Sequence, residues 1–109
     1  MRRYTLILSA VAAILAGCTV HHTVIESDSE VNFYLDIPGA RSVSFASSLD
    51  AFRLHETVRI SKNKWGITVP AWSEFTYFYV VDGSVFLPEC RFQERDDFGS
   101  KNCIYLPVR

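Results

Sequence analysis

The 109-residue chain has no block of lysine and arginine, and its formal charge is only −1. Nucleic-acid binding, which needs a dense basic face, is not expected. No apolar run reaches the roughly 20 residues of a comfortable transmembrane helix. Helical spacing of apolar residues is missing from the body of the chain, as is any internal repeat, so neither a helix bundle nor a solenoid is expected. No nucleophile elbow, catalytic triad, phosphate loop or metal-ligand spacing occurs. The chain is therefore expected to be no enzyme and to hold no metal or cofactor. Cysteines are few, and their number, three, is odd.

What is present begins with MRRYTLILSAVAAILAGC. Arg2 and Arg3 precede a short apolar run that ends in small residues, the pattern of a secretory signal peptide. The closing Leu15-Ala16-Gly17-Cys18 resembles the lipobox of bacterial lipoproteins. In that family the signal is cut before the cysteine, and the thiol carries a diacylglycerol. The resemblance implies a signal peptide over 1–17 and lipidation of Cys18. Cleavage there removes 17 of 109 residues and leaves 92, enough for one domain. Loss of Arg2 and Arg3 moves the charge from −1 to −3. Thr19, where an aspartate would signal inner-membrane retention in similar lipoproteins, implies the outer membrane, facing the periplasm. With Cys18 lipidated, Cys90 and Cys103 are left to form a disulfide in an oxidising compartment. A metal site is the alternative, but neighbouring histidines at zinc spacing are missing.

Residues 18–30 are polar after the cysteine and read as a tether. His21 and His22, adjacent in an extended segment, diverge and are expected to be solvated. From Val31 the pattern is β. Val31, Phe33, Leu35 and Ile37 share one face, and Val43 and Phe45 point inward on the next run. Residues 49–55 read as a loop, and 56–60 as a short strand with Val58 and Ile60 on one face. Residues 65–69 form a strand with Trp65 in the core. Trp72 follows in a turn, expected at the core edge, with a contact role as the alternative. In residues 75–81, Phe75, Tyr77, Tyr79 and Val81 share one face, while Thr76, Phe78 and Val80 share the other. Both faces are rich in apolar groups, so something must cover the second. Asp82-Gly83 is a two-residue hairpin signal. The charged run with Glu94, Asp96 and Asp97 reads as a solvated loop. About seven short strands predict an all-β, antiparallel sandwich over 31–109, with a small barrel as the alternative.

Several of these positions stand in a familiar order. They are Val31-Asn32-Phe33, Ala40-Arg41-Ser42-Val43-Ser44-Phe45-Ala46, a loop ending in Phe52, then Trp65. Tyr77-Phe78-Tyr79-Val80-Val81-Asp82-Gly83 and Phe98-Gly99-Ser100-Lys101-Asn102 complete it. Together they resemble the glycogen-binding domain of the AMP-activated protein kinase β subunit and of isoamylase-type N-terminal domains. The resemblance implies an early-set, immunoglobulin-like sandwich without enzymatic activity. It also implies an α-glucan ligand stacked on aromatic rings and hydrogen-bonded by a lysine and an asparagine. Phe52 stands at the first stacking position and Phe78 at that of the lysine. The second stacking position falls near Val85 or Phe86. Phe98 stands at an apolar contact, and Asn102 at the asparagine. The implied site is thus Phe52, Phe78, Phe86, Phe98 and Asn102, with the lysine's donor lost. The expected partners are the membrane, through the lipid anchor, and either a carbohydrate or an envelope protein docked on the same aromatic face.

Overall fold

A strand buried on one side needs large apolar groups at alternate positions, and the chain supplies them repeatedly. The computed structural model describes residues 19–95 and 97–107; Cys18 and the segment before it lie outside the described residues. The strands are β1 (His21–Glu26), β2 (Glu30–Asp36), β3 (Val43–Ser47), β4 (His55–Glu56), β5 (Val58–Arg59), β6 (Lys64–Pro70), β7 (Phe75–Val81), β8 (Ser84–Phe86), β9 (Gln93–Arg95) and β10 (Lys101–Tyr105). A 3-10 turn, Ser48–Asp50, follows β3. One sheet has the order β1-β2-β6-β5, and the other β4-β3-β7-β10-β9, with β8 also paired to β7. Every pairing is antiparallel. The two sheets pack as an all-β sandwich, as the alternation predicts.

The core is an aromatic cluster. Phe33 of β2 lies 4.7 Å from Tyr77, 5.2 Å from Phe45 and 6.0 Å from Tyr105, ring centre to ring centre. Phe75, Tyr79, Val31, Leu35, Trp65 and Cys103 complete it, all buried. Burying each large apolar side chain contributes about 1.5–3 kcal/mol, so this inner layer accounts for most of the driving force. Cys90 and Cys103 are joined, with Cα atoms 5.9 Å apart. The bond clips the segment after β8 onto β10.

Three features depart from the expected strand plan. Residues 21–26, assigned above to a tether, form β1 and pair with β2 along its length. The stretch 56–60 is broken at Thr57: β4 pairs with β3 in one sheet, and β5 pairs with β6 in the other. Thr57 carries the chain across, donating both its N–H and its hydroxyl to the Val43 carbonyl. Val58 and Ile60 consequently face outward and are exposed. The charged loop also contains a strand, β9, on the edge of the larger sheet.

Candidate functional site

The inner and outer faces of β7 separate as the sequence predicts. Phe75, Tyr77 and Tyr79 are buried, while Thr76, Phe78 and Val80 lie outward and are half-buried. Ala46 of β3 is paired with Phe78, and Ser44 with Val80, on the same outer face. The chain itself supplies the cover. After β3, Ser47 caps the 3-10 turn, its hydroxyl accepting from the Leu49 N–H. The Ser48 hydroxyl accepts from the Thr76 N–H at 3.0 Å, pinning the turn to β7. The backbone then enters the left-handed region twice, at Ala51 (φ 60°) and Phe52 (φ 63°). The Phe52 N–H returns to the Ser47 carbonyl at 2.8 Å. This reversal lays the Phe52 ring parallel to that of Phe78, 5.7 Å between centroids and 16° between planes. Phe52 keeps 38% of its surface exposed.

Asn102 and Ile104 of β10 lie on the outer side, because Cys103 and Tyr105 are buried inward. Cys103 is paired with Tyr77, so Asn102 sits one step on, at the level of Phe78. It is almost fully buried. Phe98 projects from the turn between β9 and β10 and is 95% exposed. The expectation for Phe86 needs correction. Asp82 and Gly83 both have positive φ, the signature of a two-residue turn, and this fixes the parity of β8. Phe86 is opposite Tyr79 and packs against the core, whereas Val85 is opposite Val80 on the outer face, 69% exposed. The structure thus brings Phe52, Phe78 and Asn102 onto one face, with Phe98 on a neighbouring turn, and turns Phe86, half-buried, to the opposite face.

The Asp82 carboxylate braces this hairpin. It accepts from the backbone N–H groups of Ser42 and Arg41, each at 2.8 Å. Those two bonds hold its carboxyl below the usual carboxylate range.

A second polar constellation was hidden in the apparent tether. His22 points into the sandwich, its Nε2 3.0 Å from the Tyr79 hydroxyl and its ring 6.0 Å from Phe33. Burial lowers its pKa to about 4. Four residues on, past Val24, Glu26 accepts from the Tyr105 hydroxyl. Burial and then that carboxylate push the Tyr105 hydroxyl above its usual range. Burial alone raises Tyr77, and burial with Tyr77 beside it raises Tyr79. His22, Glu26, Tyr77 and Tyr105 wall a cleft of about 690 Å³ beside β1, whose other side is formed by Arg91, Phe92 and the disulfide at Cys90. The expectation of solvated histidines holds for exposed His21 but not for His22. The alternation His22, Val24, Glu26 was the available signal; its polar members concealed it.

Among the described residues, no group of three or more His, Cys, Asp or Glu side chains is placed to hold a metal ion. His55 and Asp50 form an exposed pair, 2.5 Å apart. The hydrogen bond from His55 is the main cause holding the Asp50 carboxyl below its usual range. The chain matches no family model, and no curated protein matches it in sequence.

Proposed function

We propose that the chain is a non-catalytic binding module, held at the cell envelope by lipidated Cys18, whose outer face takes a carbohydrate over Phe52. One observation carries this reading. A bulky residue at positive φ is rare, and here two successive non-glycine residues adopt it. Such conformations cost about 1–3 kcal/mol each and cluster at functional sites. Here the strain sets Phe52 on Phe78 with part of its ring exposed. The apolar C–H face of a sugar ring packs on an aromatic face of this kind, and polar groups at the rim fix its orientation. The order of motifs shared with glycogen-binding domains supports an α-glucan.

Calorimetric titration of the full chain with maltoheptaose tests the reading. Phe52→Ala should weaken binding about tenfold or more, as loss of an aromatic anchor does. Ala51→Gly removes the steric penalty of a left-handed Ala. It should stabilise the fold by about 1 kcal/mol and leave binding intact, because glycine adopts the same left-handed form. No heat at millimolar sugar, together with no retention on glycogen, rejects α-glucan binding. Protein docking is the second reading, favoured by Phe78, which offers no hydrogen bond where a sugar site has the lysine's donor, and by exposed Val85, which offers no ring where a second sugar would stack. Recovery of one envelope protein by wild type but not by Val85→Ser would support it.

A further inference from the structure

The side of the sandwich opposite β1 has an unfinished edge. Among the described residues, β5 pairs with β6 only at Trp65 and Gly66, leaving Ile67 to Pro70 without a neighbour on that side. The ladder bonds say which groups are free. Ile37 N–H to Asn63 O and Ala71 N–H to Ser29 O place the odd-numbered residues of β6 against β2. Ile60 N–H to Lys64 O places the even-numbered ones toward β5. The N–H and C=O of Thr68 therefore face the open edge. Beside them is a groove of about 490 Å³. Phe45 forms its floor, Ile67 and Val69 one wall and Leu49 the other. Trp72, 74% exposed, stands at its mouth rather than at the core edge. The corresponding edge of β3 is closed, because the Ser47 carbonyl is taken by the Phe52 N–H.

We infer that this groove takes an extended partner peptide, which adds as a strand to β6 through the backbone of Thr68 and sets an aliphatic side chain between Trp72 and Leu49. An unpaired strand edge supplies main-chain bonds, and flanking pockets select alternate side chains. Size decides between a peptide and a second copy of the chain. Four residues of open edge span about 13 Å. That is too short to build the roughly 1,200–2,000 Å² of a stable dimer, but it matches a peptide of four or five residues. The polar groups also argue against a sugar here. Asp50 and His55 are committed to each other, leaving a ladder-shaped pair of backbone groups rather than several converging donors. The groove shares Ser47, Leu49 and Asp50 with the turn that leads to Phe52 but is not lined by the Phe52 ring, and the inference does not depend on sugar binding there.

The test is selection of random displayed heptapeptides on the full chain in detergent, followed by synthesis of the most enriched peptide. Enriched sequences should share aliphatic residues at alternate positions. Trp72→Ala, an exposed truncation, and Thr68→Pro, which deletes the free donor, should each raise the dissociation constant about tenfold or more. The Thr68 amide should exchange with solvent at least about tenfold more slowly in the complex. Phe52→Ala should leave the affinity unchanged. The inference is overturned by absence of enrichment, by binding that survives Trp72→Ala, or by binding lost with Phe52→Ala. Displacement by maltoheptaose also overturns it, as does a concentration-dependent dimer that protects Thr68 without peptide.

Discussion

The two long sides of the sandwich are closed by different chemistry. On one side, β1 lies along β2 and reaches the opposite sheet through side-chain bonds, His22 to Tyr79 and Glu26 to Tyr105. The Cys90–Cys103 bond holds the segment facing it. On the other side the backbone itself crosses between sheets at Thr57, fixed to the Val43 carbonyl. Closure by titratable and redox-active groups depends on solution conditions. Closure by a backbone crossing does not, but it covers only the width of two short strands and leaves the Trp72 groove beyond it.

The largest difference between the sides should come from reduction. A disulfide joining cysteines 13 positions apart contributes about 3 kcal/mol by the chain-entropy argument. Cys103 is fully buried, so its replacement also disturbs the core. In urea unfolding, Cys90→Ser with Cys103→Ala should lose about 3 kcal/mol. Hydrogen exchange should show β10 opening while β5 and the first half of β6 stay protected. Equal loosening on both sides would show that the core, not the side, carries the effect.

Acid should act next, and on the same side. The folded pKa of His22, about 4, is below its ordinary 6.5, so the folded state binds fewer protons between those values. The stabilisation from keeping His22 neutral is complete above pH 6.5. It is lost as the pH falls toward 4, and the loss then levels off. With allowance for the solvent that reaches the ring, the loss is about 1–2 kcal/mol. Comparing urea midpoints of wild type and His22→Gln from pH 7 to 4 isolates it: the curves should converge toward acid. Parallel curves would mean that His22 is solvated after all.

How much of this was legible follows from where each interaction is written. The inner face of β7, the Asp82-Gly83 turn and the buried Trp65 depend on neighbours in sequence, and the pattern exposes them. The parity of Phe86 was legible too, because a two-residue turn after Val81 pairs Phe86 with Tyr79. β1 was not, because its inward groups are polar and meet hydroxyls 57 and 79 residues away. Phe52 on Phe78 was not either. It depends on two residues in a backbone region that their own side chains disfavour, so local preference points away from the observed loop. The turn position of Trp72 left its ring free to face either way; the groove decided it.

The smallest effect belongs to the backbone crossing. Thr57→Val keeps the shape and β preference of the residue and deletes only the hydroxyl that lies 2.7 Å from the Val43 carbonyl. That carbonyl retains the Thr57 N–H at 3.0 Å, so no acceptor is orphaned, and the loss should be about 1 kcal/mol. Neither bond involves a group that titrates between pH 4 and 7. The deficit should therefore be the same at both ends of that range and unchanged by reductant, unlike the deficits on the β1 side. A Thr57→Val deficit that grew in acid would mean that the two sides open together, through the aromatic core they share.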